Sequence, residues 1–477
     1  MYNSLIFELS KEGRKAYSLP NTNVKGYKMA QSKMRKASLD MPEVSELDVI
    51  RHYTNLSLKN FGVDQGFYPL GSCTMKYNPK INEEVAKLAE FNNVHPLQSE
   101  ESLQGSMEVY YELEKALCKL TGMKAFTFAP CAGAHGELTG LMIIKEYFLQ
   151  LGETNRHKII VPVSAHGTNP ASAAVCGFDV VVCECLEDGC VDTKKLEELM
   201  DYDVAGIMLT NPSTLGIFEH DILEISRIVK AKGGLMYYDG ANLNAVLGKL
   251  YTTSMGFDVM HINLHKTFST PHGGGGPGSG PVGVRSGLEH LLPNPHVIKV
   301  NDKFKFDYSE KSIGRVSSFF GNFNVCLKAY SYILTLGKEH ISDVSSLAVL
   351  NANYVKESLK DVYKLPISSH CKHEVVFDGL VSEKASTLDV AKRLLDYGYH
   401  PPTIYFPLLF HEAMMIEPTE NESKETLDEF IEAMKKIASE DKEVLESAPH
   451  TTIVGRLDDV KAARYPVIKF KDIGKYE

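Results

Sequence analysis

Short apolar runs alternate with longer segments of helical periodicity through the middle of the chain. The first helical segment runs from Gln104 and places Tyr110, Leu113 and Leu117 on one face, with Leu120 beside them; the glycine at 122 can end the helix. The apolar runs that follow are "AFTFAP", "KIIVPV", "DVVVCEC", "VAGIMLT", "LMYYD" and "DVMHINL". Near-continuous apolar strands separated by helices are typical of a parallel sheet covered on both faces. The pattern therefore predicts a large α/β domain with a mainly parallel sheet.

The segments on either side of this alternation have different patterns. The first hundred or so residues have weak periodicity and several turn signals, as in "GFYPLGSCTMKYNPK", which predicts an extended arm. After Tyr330, "HEVVFDG", "PPTIYFPLLF" and "AMMIEPT" predict strands, and "SKETLDEFIEAMKKIASEDKEVL" predicts one long helix. We predict an N-terminal arm over residues 1–103, a large domain over 104–330, and a small α+β domain with an irregular tail over 331–477.

Length and charge restrict the class of protein. The chain has 477 residues, which favours two or three domains, and its composition of 43% hydrophobic and 23% charged residues is typical of globular proteins. A net charge of −10 argues against a nucleic-acid partner and against adsorption to an anionic membrane. No apolar run has the length of a membrane span, and the N-terminal apolar stretch is too short for a signal peptide. We expect a soluble, cytoplasmic protein.

The cysteines predict no metal centre. Nine are present, but none forms a CxxC pair and none has a Cys/His spacing typical of zinc sites. We expect reduced and mostly buried thiols, and no metal.

Candidate chemistry lies directly after the predicted strands, where ligands bind in open parallel sheets. In "CAGAHGELTG" the backbone N–H groups of Ala132, Gly133 and Ala134 would start a helix and could bind a phosphate, although an ordinary tight turn is the alternative. His166 in "SAHGTNPAS" could stack on a flat ring or carry a proton; alternatively it is a surface or capping histidine.

Two further strand ends carry polar side chains. Thr210 precedes "NPSTLGIFE" and offers a hydroxyl, in what is otherwise a plain β-turn. Asp239 ends a strongly apolar strand in "LMYYDGANLNAV". A buried carboxylate is costly unless it is paired, and a cationic ring nitrogen would be a suitable partner. The alternative is that Asp239 caps the following helix.

Lys266 follows the last apolar run in "INLHKTFSTPHGGGGPGSGPVGV". A phosphate-binding Walker loop would have its lysine after the glycines, and the GxGxxG spacing is also missing. A flexible linker is disfavoured because apolar strand residues flank the segment on both sides. A lysine that follows an apolar run and precedes the glycines favours the third possibility, a desolvated lysine that forms a covalent bond with an aldehyde. The glycines would then let the backbone approach a ligand, or let the loop move over it.

Together these strand ends match the requirements of pyridoxal phosphate. The cofactor needs a phosphate-binding turn, a ring-stacking side chain, an acid for its ring nitrogen and a lysine for its aldehyde. The sequence therefore predicts a fold-type I enzyme that depends on pyridoxal phosphate.

Several longer motifs extend this interpretation to nearly the whole chain. They are "YPLGSCTMKYNP", "CAGAHGELTG", "SAHGTNPASA", "TNPSTLGIFE", "YYDGANLNA", "INLHKTFSTPHGGGGPGSGPVG", "SSFFGNFNVCLKAY" and "PPTIYFPLL…MMIEPTE". With them the chain resembles the P-proteins of the glycine cleavage system, the glycine dehydrogenases (decarboxylating), and specifically subunit 2, the β chain, of the two-subunit form.

The resemblance implies roles for individual residues. The Lys266 position binds pyridoxal phosphate covalently, the Asp239 position pairs with the ring nitrogen and the His166 position stacks on the ring. The Lys266 and His166 positions are implied to be catalytic. The remaining implied cofactor contacts are Ala132, Gly133, Ala134, Thr210, Ala241, Asn263 and His265. Further candidates are His166, His265 and His272 as proton carriers, and Ser72, Cys73 and Thr74 as contacts for the substrate carboxylate.

The resemblance also implies an activity and partners. The implied enzyme is an oxidoreductase that decarboxylates glycine and transfers the aminomethyl group to the lipoyl arm of the H-protein. The implied partner is glycine dehydrogenase subunit 1, an α chain of the same fold that lacks the lysine, usually in an α2β2 heterotetramer. The glycine-rich loop could gate a channel for the lipoyl arm.

Two other functions compete with this one. Another fold-type I enzyme, such as an aminotransferase that clamps its substrate through Arg315 or a desulfurase with a mobile cysteine, would use the same cofactor. A non-catalytic scaffold subunit would keep the fold but should have lost Lys266 or Asp239, and this chain has both.

Overall fold

The structure is a computed structural model, and it describes residues 4–16, 18, 20–37, 39–272 and 278–474. The chain divides into two compact units: Met1–Gln65 with Ile453–Glu477, and Gly66–Thr452. The division at residues 103 and 330 that the sequence predicts stays a prediction. Among the described residues, no helix has both the length and the apolar character needed to cross a membrane.

The first unit joins the two ends of the chain. Its N-terminal part contains helix α1 (Glu46–Ser57), which begins at Ser45 with a capping box completed by Asp48. Its C-terminal part contains a short helix, Asp459–Arg464. The rings of Phe7 and Phe470 stack with their centroids 5.0 Å apart. The N-terminal segment is thus less extended than its weak periodicity suggests.

The second unit contains a seven-stranded sheet. The strands are β1 (Ala125–Thr127), β2 (Lys158–Pro162), β3 (Asp179–Cys183), β4 (Val204–Thr210), β5 (Leu235–Gly240), β6 (Val259–Ile262) and β7 (Val282–Val284). Their order is β1-β7-β6-β5-β4-β2-β3. β7 is antiparallel to both its neighbours, and the other adjacent pairs are parallel. The mainly parallel sheet predicted from the sequence is confirmed.

Along the chain, helices precede the first strand, connect successive strands and follow the last one. They are α2 (Lys80–Ala86), α3 (Ala89–Asn92), α4 (Gln104–Thr121), α5 (Gly133–Leu151), α6 (Thr168–Val175), α7 (Thr193–Leu199), α8 (Ile222–Ala231) and α9 (Phe323–His340). Helix α4 ends at Gly122, whose φ of +78° is the left-handed conformation expected of a helix-ending glycine.

Both faces of the sheet are covered, which explains the near-continuous apolar runs. On β5, Met236 and Tyr238 belong to a core cluster with residues of α4, α8 and α9, whereas Leu235 and Tyr237 belong to a cluster with residues of α5 and α6. Successive side chains of a strand point to opposite faces, so each face needs its own apolar set. The strand ends are then the places where polar groups can meet a ligand.

A three-stranded antiparallel sheet forms the later part of the second unit. The elements of this part are β8 (His296–Val300), β9 (Lys303–Asp307), α10 (Asp343–Leu359), β10 (Val375–Asp378), α11 (Thr387–Asp396), β11 (Thr403–Ile404), β12 (Ala413–Ile416), α12 (Lys424–Ser439) and α13 (Lys442–Ser447). The order of the sheet is β10-β12-β11, and a separate hairpin β8–β9 precedes it.

Two predictions in this region were wrong in extent. The strand expected over "PPTIYFPLLF" is only the two residues of β11, and the chain turns away at Tyr405, whose φ is +56°. The expected single long helix is two helices, because Glu440 has an extended backbone with ψ of 157°. The β8–β9 hairpin was not predicted; Asn301 and Asp302 form its turn with positive φ.

Candidate active site

A cavity of about 240 Å³ lies at the carboxyl ends of the parallel strands of the second unit. All ten residues that the sequence analysis proposed for a cofactor site line it: Ala132, Gly133, Ala134, His166, Thr210, Asp239, Ala241, Asn263, His265 and Lys266. These residues come from segments spread over about 130 positions of the chain, and the sheet topology brings them together.

Lys266 lies in a turn just after β6. Its backbone N–H donates to the carbonyl of Asn263 at 3.1 Å, and its own carbonyl accepts from the N–H of Ser269 at 3.1 Å. The neighbouring Thr267 is fully buried, and its hydroxyl accepts from the N–H of Leu243 at 2.8 Å. The turn is thus anchored on both sides, while the half-buried lysine side chain reaches the cavity.

Asp239 is held as a buried carboxylate at the end of β5. Its side chain accepts from Nδ2 of Asn169 at 2.9 Å and from the N–H of Ala241 at 3.1 Å, and Nε2 of His261 lies 3.5 Å away. Burial by itself would raise the pKa of Asp239, but His261, the two hydrogen bonds and Lys266 together hold this pKa below its ordinary value. The site therefore offers an ionised acid to a cationic partner.

His261 lies beside Asp239 and does not line the cavity. It is fully buried, its Nδ1 lies 2.8 Å from the hydroxyl of Tyr237, and its other ring nitrogen faces Asp239. The sequence analysis missed this residue, although it stands in "DVMHINL", where a histidine in an apolar strand was a usable signal.

His166 is fixed by the start of α6. The N–H of Thr168 donates to Nδ1 of His166 at 3.2 Å, and the Thr168 hydroxyl donates to Glu137 at 2.8 Å. The ring of Phe406 lies at its side with a centroid distance of 5.6 Å. Because its position is set through Nδ1, the imidazole can present a face or its Nε2 to the cavity.

The start of α5 has the character of an anion site. Helix α5 begins at Ala132 without a side-chain cap, so its first N–H groups lie at the cavity wall without the usual acceptor. A side chain on Gly133 would come within 2.3 Å of Oδ1 of Asn263, so the glycine lets the turn pack against Asn263. In the described part of the chain, Oδ1 of Asn263, Oγ1 of Thr210 and Nδ1 of His265 are buried without a hydrogen-bond partner.

His265 is neutral in this environment. Burial lowers the pKa of His265 to about 3, and the charge of Lys266 and the rings of His272 and His261 add to the effect. Burial and Lys266 also lower the pKa of His272, whose ring lies 5.4 Å from that of His265. Both imidazoles can accept a hydrogen bond at their unprotonated nitrogen.

The other candidates from the sequence are only partly brought to the cavity. Ser72 lines it, but Cys73 and Thr74 are not among its lining residues, and Thr74 donates to Glu417 instead. Arg315 is also absent from the described lining. The glycines and the proline at 273–277, on which the predicted gating depends, lie outside the described residues.

Several lining residues were not predicted from the sequence, notably His373 and Glu374. They stand immediately before β10, more than 100 residues after Lys266. From the sequence, this region was predicted only to belong to the small α+β domain, without any site residue. No motif connects them to the strand ends of the large sheet.

Comparison with known proteins identifies relatives of the whole chain. The family described as aminotransferase class-V matches residues 139–275, and the family described as glycine dehydrogenase, C-terminal domain, matches residues 344–454. The chain is 60% identical over 479 residues to the probable glycine dehydrogenase (decarboxylating) subunit 2 of Caldanaerobacter subterraneus subsp. tengcongensis, with 98% of this chain and 99% of the relative covered. The protein of the same description from Alkaliphilus oremlandii is 57% identical over 480 residues, with the same coverage.

A solved structure supports the fold. The crystal structure of glycine decarboxylase (P-protein) of the glycine cleavage system, in inhibitor-bound form, matches with a TM-score of 0.71 and 18% identity, over 85% of this chain and 93% of the other. Together with the class-V match, this likeness confirms the fold-type I architecture predicted from the sequence.

Proposed function

The chain belongs to the family of glycine dehydrogenase (decarboxylating) subunit 2, and we propose that it is the subunit that binds pyridoxal phosphate and decarboxylates glycine. The observation that carries the proposal is the convergence of Lys266, ionised Asp239 and the uncapped start of α5 on one cavity. Each of these groups matches a different part of the cofactor.

The described residues fit the cofactor in detail. The N–H groups of Gly133 and Ala134, the hydroxyl of Thr210 and the amide Nδ2 of Asn263 can donate hydrogen bonds to the phosphate. Asp239 can accept a hydrogen bond from the protonated ring nitrogen. His166 and Ala241 line the cavity beside Asp239 and can contact the ring between them.

Pyridoxal phosphate, when bound, supplies a sink for the electron pair that glycine keeps when CO2 leaves. Lys266 would provide the amine that holds the cofactor covalently. Asp239 would hold a proton on the ring nitrogen, because its carboxylate is buried, ionised and fixed by Asn169. The pKa of His265 is lowered to about 3 and that of His272 is lowered as well, so both imidazoles are neutral beside Lys266: they can accept a hydrogen bond there but are weak bases for a proton.

We propose the lipoyl arm of the H-protein as acceptor of the aminomethyl group, and exchange of labelled bicarbonate into the carboxyl group of glycine tests this function. The assay uses this chain with lipoylated H-protein, with and without subunit 1. Exchange by this chain alone would mean that its own cavity is complete. Exchange only with subunit 1 would mean that the partner completes the site, and no exchange in either case would contradict the proposed function.

We also propose that the first unit contributes to the contact with subunit 1. The family name of this chain's relatives implies a second subunit, and α1 exposes a row of apolar side chains: Leu47 (54% exposed), Ile50 and Tyr53. Exposed apolar rows of this kind mark protein contacts in soluble proteins.

Substitution of Leu47 by aspartate is expected to weaken assembly with subunit 1 by at least about tenfold, because a charge would be buried in the contact. Leu223→Asp is the matched control, since Leu223 on α8 is similarly exposed (66%) but belongs to the second unit. Copurification of tagged subunit 1 and analytical ultracentrifugation measure the effect. Equal assembly of both variants would contradict this docking surface.

A further inference from the structure

His373 and Glu374 form a buried pair in the cavity wall that the cofactor-binding set does not use. Both line the cavity, and they are only 3% and 2% exposed. Nε2 of His373 lies 3.5 Å from Oε1 of Glu374. Its other ring nitrogen, Nδ1, is buried and has no hydrogen-bond partner in the part of the chain that the structure describes. A buried polar atom without a partner at a cavity wall points to a ligand.

Two neighbouring buried carboxyl groups accept different numbers of hydrogen bonds. Glu417 accepts from the N–H and the hydroxyl of Thr74 at 2.9 and 2.7 Å and from Nδ2 of Asn242 at 2.8 Å. Glu374 accepts from the N–H of Ser72 at 2.9 Å. Burial, and then the charge of Glu417, raise the pKa of Glu374 well above its ordinary value. Glu374 is therefore a neutral acid near neutral pH.

His373 is neutral as well. Burial lowers its pKa, and Lys266 adds to the lowering although Glu417 acts in the opposite direction. Because Oε2 of Glu374 accepts from the N–H of Ser72, we assign the acid proton to Oε1, which lies 3.5 Å from Nε2 of His373, and this makes Nε2 the acceptor of the ring. Nδ1 then carries the proton and is an N–H donor without an acceptor.

The described lining of the cavity contains no arginine. A guanidinium–carboxylate pair would stabilise the substrate carboxylate before it reacts, and would oppose its conversion to uncharged CO2. A single neutral N–H donor orients the carboxylate and stabilises it much less. The polar wall is therefore suited to a carboxylate that has to leave.

We propose that Nδ1–H of His373 donates a hydrogen bond to the carboxylate of the substrate and orients it for departure, with Glu374 as the positioning residue that fixes the ring. This inference rests on the proposed function. In the step, the bond between the α-carbon and the carboxyl carbon breaks, CO2 leaves, and the electron pair stays on the α-carbon. No proton moves to or from His373.

The test compares glycine with methylamine, which has the same reacting amine but no carboxylate. The full-length chain, assembled with subunit 1 and loaded with pyridoxal phosphate, is titrated with each amine while the visible absorbance of the cofactor is followed. His373→Gln keeps an amide near the Nε2 position and loses the donor at Nδ1, whereas His373→Asn keeps a donor near Nδ1. We expect His373→Gln to bind glycine at least about tenfold more weakly with unchanged affinity for methylamine. His373→Asn should stay within about threefold of the wild type for both amines.

Other outcomes overturn the inference. Unchanged glycine affinity in His373→Gln would mean that His373 does not hold the carboxylate. An equal loss for glycine and methylamine would mean that the residue only maintains the shape of the site. A wild-type protein without a cofactor absorbance band, or one that binds neither amine, would instead contradict the proposed function itself, and this inference with it.

Discussion

Replacing Lys266 by alanine is expected to lower glycine decarboxylation by at least about a thousandfold, because the amine that bonds the cofactor is removed. Lys266 lies at the cavity in a turn that is anchored through the backbone at Asn263 and Ser269. Truncation of the half-buried side chain should therefore leave the fold intact. Release of labelled CO2 from carboxyl-labelled glycine measures the effect, and circular dichroism checks the fold.

A second variant separates the charge of Lys266 from its nucleophilicity. Lys266→Arg keeps a positive charge at the site, but a guanidinium does not lose its proton and cannot form the covalent bond. We expect it to be as inactive as the alanine variant. If Lys266→Arg kept more than about a tenth of the wild-type rate, the lysine would act only through its charge, and the covalent role would be wrong.

The strand ends could be predicted because a parallel sheet imposes a simple geometry. Each apolar run ends at the same edge, so the residues following the strands must converge. Thr210, Asp239 and Lys266 come from three different segments, yet their place after an apolar run was enough to group them. The alternation of helix and strand predicted the parallel sheet. The covalent chemistry available to a lysine then suggested which cofactor the grouped residues could bind.

The residues missed by sequence reasoning reach the cavity through tertiary packing. Glu374 comes from the edge of a small antiparallel sheet, and its contact with the N–H of Ser72 joins positions 302 residues apart. His261 is different, since a histidine within an apolar strand is a signal that the sequence does carry. What the sequence does not show is its partners, Tyr237 and Asp239, which only the fold brings to it.

The wrong secondary-structure boundaries have local causes. Glu440 has the composition of a helix residue, but its backbone is extended, and its carboxylate binds the guanidinium of Arg393 at 2.8 Å. The tertiary ion pair outweighs the helical pattern there. The short β11 likewise ends where Tyr405 adopts a positive φ, which periodicity does not report.

Asp239→Asn is expected to lower the rate of decarboxylation by about a hundred- to a thousandfold. The substitution keeps the shape of the side chain but removes its charge and replaces one acceptor oxygen by an NH2 donor, and breaking a buried ion pair costs about 3–5 kcal/mol. Since the pKa of Asp239 is held below its ordinary value, the wild-type carboxylate is ionised throughout the neutral range, and the loss should be independent of pH there. Steady-state rates from pH 6 to 9 measure this.

Asp258 provides a matched control for the loss of a buried charge. It is 1% exposed and borders the same sheet, where it accepts from Nε of Arg285 and from the N–H of Met236, but it does not line the cavity. Asp258→Asn should lower the free energy of unfolding by about 1–3 kcal/mol and leave the cofactor absorbance and the rate constant of the folded enzyme unchanged. Asp239→Asn should instead alter the absorbance and the rate more than the stability. The same pattern in both variants would show that Asp239 is a structural carboxylate and not the partner of a ring nitrogen.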